Sequence, residues 1–394
     1  MMRALVLNAG SSSLKFALYE RWTTEILRGA ISELGSDARL TWRRGAVRGE
    51  EPVAAPDHAA AVHAIRRLAT DDGAADVIVH RIVHGGAKHC KPVKLTASVL
   101  EDLEALEFLA PLHGPAARLA IEASDMVFRP AAQIAVFDTT LFQSLPQAAR
   151  EYGIPEPWRT GLDVKRYGFH GFAHECLRDA ALAAAGEPDS ARIVTVQLGR
   201  GCSVAAFRGE QPVANSMGFS PLGGLVMPTR SGSLDPAAVL YVLSRLQLRP
   251  AELLRILNEE SGLLALSGGC ANPAEIARRA DLGDSACRLA LDVFSHSLYQ
   301  CLGGYAALLD GLDVIVMGGG ISEHVPAFRR RVLDGVVWLG CEPAADGPDA
   351  ADAASVVLSR PASRVTALLV RVDEERLMAA EARRLLETDD TAPW

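Results

Sequence analysis

The first residues of the chain contain a polar turn between two apolar runs. Residues 4–7 lead into Asn8, a Gly-Ser-Ser-Ser stretch occupies positions 10–13, and an apolar run containing Lys15 resumes at residues 14–18. Two such runs around a short Gly/Ser loop predict a strand, a tight turn and a second strand. The serine hydroxyls, the backbone N–H groups of the turn and the Lys15 ammonium suit anionic oxygens. An ordinary Ser-rich hairpin is the alternative.

Two charged residues stand near the ends of predicted strands. Arg81 closes an apolar run just before a pair of glycines, and Asp138 directly follows the apolar strand at 133–137. An Arg in this position can hold a carboxylate or phosphate through two parallel hydrogen bonds; the alternative is a surface Arg in an interdomain salt bridge. A carboxylate at the carboxyl end of a strand lies where α/β sheets bind ligands. Asp138 could hold Mg²⁺, act as a base, or cap the next turn.

Glycine-rich segments carry further candidates. His170 stands between two glycines ahead of a helix, which suits a His exposed at a ligand site, whereas His174 is expected to be a cap or packing residue. Arg230 lies in the long Gly/Pro/Ser loop at 216–235 and is a second candidate anion clamp, because such a loop is costly to order unless something binds it. The Gly triplet at 318–320 follows an apolar strand, a position suited to a ribose or phosphate.

Composition places the chain among globular proteins. Its 394 residues are 49% hydrophobic and 22% charged, and this length favours two domains. The net charge of −8 argues against nucleic-acid binding, but local Arg and Lys clusters still allow an anionic substrate. The seven scattered cysteines, none in a C-x-x-C pair, predict reduced thiols rather than a structural zinc site. The N-terminal apolar run is too short for a signal or membrane span, so we expect a cytoplasmic protein that does not bind membranes.

Apolar runs of strand length alternate with long stretches of helical periodicity. Strands are predicted at 75–83, 133–137, 192–198, 203–207 and 313–317, and helices at 59–69, 98–109, 173–185, 236–246, 284–309 and 373–386. This alternation predicts an α/β fold with mixed sheets. The opening strand–turn–strand recurs at residues 193–207, which indicates a duplicated domain with a ligand between the halves. The Pro- and Gly-containing stretch 147–167 is typical of a crossing between domains.

The motifs LVLNAGSSSLKF, HRIVHGG, FDTTLF, YGFHG and SMGFSPLGGL…TRSGSLDP follow one another across nearly the whole chain. In this order they resemble the acetate/propionate kinase family of the actin–sugar kinase–Hsp70 superfamily. The resemblance implies two duplicated ribonuclease H-like (actin-like ATPase) domains with mixed sheets and an interdomain cleft. Residues 1–145 plus 373–394 would form the acyl and phosphoryl side, and residues 146–372 would bind nucleotide and form a homodimer.

The resemblance also implies an activity and a role for individual residues. The activity is acetate kinase, which transfers the γ-phosphoryl group of ATP to acetate, with Mg²⁺ (or Mn²⁺) as cofactor, and gives acetyl phosphate and ADP by direct in-line displacement. Asp138, His170 and Arg230 would act in catalysis, and Asn8 and Glu374 would hold the metal. Arg81 would bind the carboxylate in an apolar pocket of Val83, Leu112, Phe169 and Pro221. The phosphates and nucleotide would face Ser11, Ser12, Ser13, Lys15, Gln197, Leu198, Gly199, Arg200, Gly201, Asn272, Pro273, Ala274, Gly319, Gly320, Ile321, Ser322 and Glu323.

Departures from the family pattern fall on the nucleotide side. The family's H-L-G-N-G loop has become Gln197-Leu198-Gly199-Arg200-Gly201, D-F-R has become Asn272-Pro273-Ala274, and a serine (Ser322) replaces a glycine of G-G-I-G-E-N. These changes leave open weaker ATP binding, another nucleotide, or pyrophosphate as donor. A propionate or butyrate kinase is a further alternative, since one methylene discriminates by only ~1–3 kcal/mol. A non-catalytic acyl-phosphate sensor is disfavoured, because the charged residues of the motifs are retained.

Overall fold

The computed structural model describes residues 2–35, 37–71, 73–186, 189–344 and 354–388. These residues form two compact units: unit 1 comprises Met1–Thr140 with Asp373–Trp394, and unit 2 comprises Leu141–Val372. From the sequence we expect the division after residue 145 and a crossing segment at 147–167. In the structure that segment belongs to unit 2, where the Tyr167 N–H donates to the carbonyl oxygen of Gly218 (3.0 Å).

Unit 1 is built on an eight-stranded mixed sheet. In chain order its strands are β1 (Arg3–Ala9), β2 (Leu14–Glu20), β3 (Thr24–Ser32), β4 (Arg39–Arg44), β5 (Val47–Pro52), β6 (Val77–Ile82), β7 (Val93–Lys94) and β8 (Ala132–Phe137). They are arranged β5-β4-β3-β2-β1-β6-β8-β7. Strands β1 to β5 form an antiparallel meander, β6 pairs parallel with β1 and β8, and β7 pairs antiparallel with β8. Its helices are α1 (His58–Thr70), α2 (Ala97–Ala105), α3 (Gly114–Val127) and α14 (Glu374–Thr388), with a 3-10 turn at Glu107–Leu109.

The two faces of this sheet differ because side chains alternate along each strand. One face is apolar and packs with α1 and α3; its buried residues include Leu5, Leu7, Leu14, Phe16, Leu18 and Ile78, and α1 contributes Val62 and Ile65 to the same core. The other face carries Asn8, and α14 packs there against β1, β6 and β8. Helix α14 buries Leu377, Met378, Ala379 and Ala382, so the C-terminal helix is an integral part of the N-terminal unit.

Unit 2 repeats the central topology of unit 1. Its strands are β9 (Arg192–Leu198), β10 (Cys202–Arg208), β11 (Gln211–Asn215), β12 (Val314–Gly318), β13 (Ser355–Val357) and β14 (Thr366–Val370), in the order β11-β10-β9-β12-β14-β13. An antiparallel β9–β10–β11 meander is followed by β12 parallel to β9 and β14 parallel to β12. Strands β3-β2-β1-β6-β8 of unit 1 have the same order and directions. The predicted duplicated α/β fold is confirmed.

The helices of unit 2 surround this smaller sheet. They are α4 (Gln147–Arg150), α5 (Glu156–Gly161), α6 (Gly171–Ala184), α7 (Pro236–Leu246), α8 (Pro250–Glu259), α9 (Gly262–Leu266), α10 (Pro273–Asp281), α11 (Ser285–Leu309), α12 (Gly320–His324) and α13 (Pro326–Asp334), with 3-10 turns at Thr140–Ser144 and Val337–Leu339. The 25-residue α11 begins where Asp284 accepts from two backbone N–H groups, and its Phe294 packs edge-on against Phe328. In the described part of the chain, no helix is long and apolar enough to cross a membrane.

A buried histidine makes unit 1 sensitive to acid. His80 on β6 is 1% exposed, its Nε2 lies 2.7 Å from Gln133 Oε1, and burial lowers its pKa from 6.5 to about 4. Between pH 6.5 and about pH 4 the unfolded chain binds more protons than the folded chain. The free energy of unfolding therefore falls as the pH drops through this window. Above the window this contribution to stability is fully present.

We expect His80→Gln, which keeps a polar group beside Gln133, to reduce this acid dependence. Urea unfolding at several values between about pH 7 and pH 4.5 measures it, and the two proteins should differ in slope by up to about 1.4 kcal/mol per pH unit. Parallel curves for the two proteins would assign the acid sensitivity to other groups.

Candidate functional site

The parallel strands of unit 1 bring three predicted residues to one edge of the sheet. The pairing of Leu7 with His80, and of Ile82 with Phe137, places the carboxyl ends of β1, β6 and β8 side by side. Asn8 is the penultimate residue of β1, Arg81 that of β6, and Asp138 directly follows β8. Because residues of equal register share a face, these three side chains converge where open α/β sheets bind ligands.

Arg81 and Asp138 form a buried ion pair. The guanidinium donates from Nε to Asp138 Oδ1 (2.9 Å) and from Nη2 to Asp138 Oδ2 (2.5 Å), a bidentate geometry. The side chains are 11% and 1% exposed. Burial opposes the charge of the guanidinium, but the carboxylates of Asp138 and Glu374 outweigh that effect and raise the pKa of Arg81 above its ordinary value. Arg81 is therefore not the surface residue of the alternative interpretation, and its salt bridge lies within unit 1.

Asn8 connects this pair to the beginning of α14. Its Oδ1 accepts from Arg81 Nη1 (3.1 Å), and its Nδ2 donates to Glu374 Oε2 (2.8 Å) and Glu375 Oε1 (2.9 Å). Glu374 Oε2 also lies 4.0 Å from Arg81 Nη1. The structure thus brings together the predicted Asn8, Arg81, Asp138 and Glu374, and adds Glu375. Only its position next to Glu374 in the sequence could have indicated Glu375.

The donors around Asn8 fit a hard divalent cation. Within the described residues, no group of three or more His, Cys, Asp or Glu side chains is placed to hold a metal ion. Mg²⁺ at a phosphoryl-transfer site needs only one or two carboxylates, because phosphate oxygens and water complete its shell. The Glu374 carboxylate, 12% exposed, and the amide oxygen of Asn8 are oxygen donors of this kind. These residues therefore fit the Mg²⁺ that the resemblance implies.

The serine turn forms as predicted between β1 and β2. It is closed by the Gly10 N–H, which donates to the carbonyl oxygen of Ser13 (2.9 Å), and the carbonyl oxygen of Gly10 lies 2.7 Å from His58 Nε2. Lys15 pairs in register with Asn8 and is exposed. Its ammonium is therefore available to an anion at the edge of the sheet that carries Asn8.

His170 occupies a strained position at the start of α6 in unit 2. Its backbone is left-handed (φ 58°, ψ 38°), which is uncommon for a residue with a side chain and recurs at functional sites. Its Nδ1 lies 2.8 Å from Ser203 Oγ, the same Oγ lies 2.7 Å from His174 Nε2, and His174 Nδ1 lies 2.7 Å from Thr195 Oγ1. His174, expected to be a cap or packing residue, is fully buried and bridges this chain. Ser203 and Thr195 were missed, because both read as ordinary strand residues.

The Gly199–Gly201 turn lies beneath the His170 ring. The Gly199 N–H donates to the carbonyl oxygen of Gly201 (3.0 Å), and a Cβ on Gly201 would come within 2.8 Å of His170 Nε2 and 3.5 Å of Arg230 Nη1. Arg230 is 5% exposed and donates to the carbonyl oxygen of Pro221 (3.2 Å). Because Gly201 has no side chain, the His170 ring and the Arg230 guanidinium both fit beside this turn.

Backbone hydrogen bonds order the long loop that carries Arg230. Ser233 and Gly224 are joined by two hydrogen bonds, and the Met227 N–H donates to the carbonyl oxygen of Arg230 (3.1 Å). The Ser231 N–H donates to the carbonyl oxygen of Leu257 (3.0 Å). These contacts order the loop without a ligand, which the sequence alone did not indicate.

The predicted nucleotide segments lie at the carboxyl edge of the second sheet. Gly318 pairs with Gln197 across β12 and β9, and Gly319 adopts φ +85°, where a Cβ would come within 2.7 Å of Gln197 Nε2. Gln197 Oε1 and Ser322 Oγ are buried without a hydrogen-bond partner among the described residues. Asn272, in contrast, caps α10 by accepting from the N–H groups of Ala274 and Glu275. Its side chain thus has a structural role.

The four predicted acyl-pocket residues divide between the units. In unit 1, Val83 lines an apolar cavity with Leu100, Leu103 and Leu106, while Leu112 is half-buried and does not line that cavity. In unit 2, Phe169 is fully buried and its carbonyl oxygen accepts from Asn215 Nδ2 (3.1 Å). Pro221 presents its carbonyl oxygen to Arg230. Two of the four predicted residues therefore belong to each unit.

The repeated sheets, with charged residues and Gly-rich turns at their carboxyl edges, define a kinase of duplicated actin-like ATPase-type domains. Residues 3–380 match the acetokinase family, and the chain belongs to that family. It is 35% identical to an acetate kinase of Bacillus cytotoxicus over 394 residues, 98% of this chain and 99% of that protein. Two solved structures are similar: a Porphyromonas gingivalis acetate kinase (TM-score 0.81, 30% identity, 98% and 100% coverage) and a Francisella tularensis propionate kinase (TM-score 0.86, 29% identity, 97% and 99% coverage).

Gly201 offers a direct test of the His170 position. We expect Gly201→Ala to displace the His170 ring, because its Cβ would approach two ring atoms at 2.8 Å while the ring is held at Ser203. A displacement of about 1 Å can cost on the order of 10²-fold in kcat. Steady-state kinetics and histidine ring NMR shifts measure both effects.

Gly199→Ala is the matched control, since its Cβ would meet only ordinary contacts at 3.6 Å or more. It should leave the His170 ring resonances unchanged. Wild-type kcat in Gly201→Ala would show that the His170 position is not limiting.

Proposed function

We propose that this chain catalyses the reversible transfer of the γ-phosphoryl group of ATP to acetate, giving acetyl phosphate and ADP. An acetate oxygen forms a bond to the γ-phosphorus while the bond between that phosphorus and the bridging oxygen of ADP breaks. The proposal rests on one observation: a chain that matches the acetokinase family over residues 3–380 holds Asn8, Asp138 and Glu374 around Arg81 in one polar network. Such a transfer needs alignment and charge neutralisation rather than a nucleophilic side chain.

In unit 1, Arg81 binds and orients the acetate carboxylate. Two of its nitrogens are fixed by Asp138, and Nη1 is directed to Asn8 and Glu374. The ion pair with Asp138 thus sets the orientation of the guanidinium plane before substrate arrives. Asp138 acts by positioning Arg81, a role that differs from the base, the Mg²⁺ ligand and the turn cap that the sequence left open for it.

In unit 2, His170 and Arg230 stabilise the phosphoryl group during transfer. Both line the Gly201 turn, and the burial of Arg230 strengthens its electrostatic effect. Removal of such a charge-stabilising donor costs about 10²- to 10³-fold in kcat. Lys15, the serine turn (Ser11, Ser12 and Ser13) and the turn that carries Arg200 contact the phosphates of the nucleotide.

Asn8 and Glu374 hold the divalent cation, Mg²⁺ or Mn²⁺. When bound, the cation supplies charge neutralisation at the phosphoryl oxygens. Glu374 contributes a carboxylate, and Asn8 contributes its amide oxygen. The contact of Asn8 with both Arg81 and Glu374 links the place of the cation to the residue that binds acetate.

ATP is the proposed donor, although Arg200 and Ser322 depart from the family pattern. The orphaned Gln197 Oε1 can only accept a hydrogen bond, so a ligand that carries N–H or O–H groups would satisfy it. A nucleotide has such groups on its ribose and base.

Propionate is the second candidate acceptor. The similarity to a propionate kinase structure (TM-score 0.86) favours testing it. One added methylene changes the transition-state free energy by only ~1–3 kcal/mol, so a preference for acetate is compatible with measurable propionate turnover.

We also propose that the protein acts as a homodimer through unit 2. No residue of α7 is buried, and its apolar Leu240, Tyr241 and Leu246 are 64%, 65% and 66% exposed. An exposed apolar face of this kind marks an interaction surface. A second copy of the chain covers this face in the proposed dimer.

The cytoplasm is the proposed compartment. All seven cysteines are free thiols in the structure, and four of them, Cys202, Cys287, Cys301 and Cys341, have a pKa raised by burial. Such thiols are unreactive core residues, which suits a reducing environment.

Acetyl phosphate formation, trapped with hydroxylamine, tests the function. We expect rapid turnover with acetate, Mg²⁺ and ATP, slower turnover with propionate, and little with pyrophosphate. Arg230→Ala is expected to lose on the order of 10²-fold in kcat. Turnover with pyrophosphate alone would overturn the assignment of the donor, and no product with any donor would overturn the activity.

Sedimentation of the variant Leu240→Glu/Tyr241→Glu tests the dimer. We expect the wild type to sediment as a dimer and the variant as a monomer, because two charges cannot be buried unpaired in an apolar interface. Leu162→Glu, which changes a 68% exposed leucine elsewhere in unit 2, serves as the control and should remain dimeric. A dimeric double variant would place the interface elsewhere.

A further inference from the structure

Three acidic residues follow one another at the beginning of α14. Asp373, Glu374 and Glu375 lie at a helix N-terminus, where negative charge is favoured, but three adjacent carboxylates also repel one another. The Asp373 side chain accepts from the Arg376 N–H (3.2 Å), as a helix cap does. The direction in which each carboxylate points therefore depends on the cations placed around the helix start.

Arg28, on β3, engages two of these three carboxylates. Its Nη1 donates to Glu375 Oε2 (2.7 Å), and its Nη2 donates to Asp373 Oδ1 (2.7 Å). Its remaining contacts fix the guanidinium plane: Nε donates to Glu25 Oε2 (2.6 Å), and Nη2 donates to Tyr19 Oη (2.9 Å). All five donors of an Arg side chain lie in one plane, so this set of partners specifies one orientation.

The oxygens of Glu375 are divided between two partners. Oε2 accepts from Arg28, and Oε1 accepts from Asn8 Nδ2, which also donates to Glu374 Oε2. Arg28 thereby fixes the carboxylate that orients the Asn8 amide, and that amide directs its oxygen to Arg81. A continuous hydrogen-bonded path leads from β3 through α14 to the end of β6.

The charges along this path are stable at neutral pH. Burial opposes the charge of Arg28, but the carboxylates of Glu375 and Asp373 outweigh it and raise the pKa of Arg28. Burial also raises the pKa of Tyr19, so its phenol stays neutral and accepts the hydrogen bond from Arg28. The Glu375 side chain is 6% exposed, and removal of Arg28 would leave a buried carboxylate without its cation.

We propose that Arg28 is a positioning residue for the divalent-cation site: by holding Asp373 and Glu375 it orients Asn8 and presents Glu374 to the cation. The inference rests on the proposed function of Asn8 and Glu374 as the residues that hold the cation. Arg28 does not touch the cation or the substrates in this scheme. Partners of this kind, one contact removed from the ligands, change metal affinity or activity by about 10- to 100-fold when mutated.

Binding of Mn²⁺ in the presence of ADP, measured from the free-ion EPR signal, tests the proposal with a readout that does not depend on turnover. We expect Arg28→Met to weaken Mn²⁺ binding by about 10- to 100-fold and to raise the Mg²⁺ concentration for half-maximal rate similarly. The KM for acetate should change less. Arg28→Lys restores the charge but not the planar fork, and an intermediate affinity is expected.

Arg43→Ala is the matched control. Arg43, on the neighbouring strand β4, contacts the same Glu25 (2.6 Å) but is 50% exposed and is joined to neither Asp373 nor Glu375. Its removal should leave Mn²⁺ affinity unchanged. An equal loss in Arg43→Ala and Arg28→Met would overturn the proposal, because the effect would then come from Glu25 or from the sheet edge.

A second variant separates positioning from folding. Arg28→Met/Glu375→Gln removes the cation and its buried anion together, so it should unfold near the wild-type Tm while it still binds Mn²⁺ weakly. If the double variant recovers both the wild-type Tm and the wild-type Mn²⁺ affinity, Arg28 has only a structural role and the proposal is overturned. Wild-type Mn²⁺ affinity in Arg28→Met would overturn it as well.

Failure of the proposed function gives a different result. A wild-type protein that binds Mn²⁺ with ADP but forms no acetyl phosphate contradicts the activity, while the comparison of variants still decides the role of Arg28. A wild-type protein that makes acetyl phosphate, with an Arg28→Met variant indistinguishable in both assays, contradicts the role of Arg28 alone. A wild-type protein that does not bind Mn²⁺ with ADP overturns the inference about Arg28.

Discussion

The buried pair of Arg81 and Asp138 constrains everything else in unit 1. An ion pair with side chains 11% and 1% exposed is tolerated only if its geometry is good and the remaining polar atoms are satisfied. The parallel pairing of β1, β6 and β8 provides the geometry, because it places the two residues on adjacent strands. Asn8 and the first turn of α14 provide the additional contacts. The ionic network therefore depends both on the order of the strands and on the packing of the C-terminal helix against the N-terminal unit.

The two units use the same sheet topology for different chemistry. Unit 1 places full charges at its carboxyl edge and balances them through Arg81, Asn8 and α14. Unit 2 places one buried cation, Arg230, and the His170 ring beside Gly201, and Ser203 with His174 holds that ring in place. A duplicated scaffold can diverge in this way because function depends on residues at the strand ends, while the strand order is set by the apolar pattern.

Site residues could be predicted from the sequence where one short segment contained both the strand and the polar residue at its end. Asn8, Arg81 and Asp138 could be predicted because each lies in or beside an apolar strand and precedes a turn, so the strand and its chemistry are read together. Helix α7 was predicted with its observed bounds, since Asp235 and Pro236 form a standard helix start. Helix α3 was not predicted, although it begins at Gly114 and Pro115 and Pro is favoured in the first helical turn. Strand β5 was missed because it is an edge strand without a buried residue.

Residues that act through long-range contacts could not be predicted from the sequence alone. Arg28 and Glu375 are 347 positions apart, and nothing near either one indicates the other. Ser203 lies in a predicted strand, and its contact with His170 depends on where α6 packs. The crossing between units was placed at 147–167 from its prolines and glycines, whereas the short helices there pack into unit 2. In each case tertiary packing, rather than local composition, decides the outcome.

The position of α14 also has a consequence for synthesis. A ribosome completes residues 3–140, and with them the whole eight-stranded sheet of unit 1, long before it reaches Glu374. Domains generally fold as units while the chain emerges, N-terminal first. Until α14 has emerged from the ribosome, the face of the sheet that bears Asn8 lacks its cover, and Arg28 lacks two of its acidic partners. The acidic cluster therefore assembles only after all of unit 2 has been synthesised.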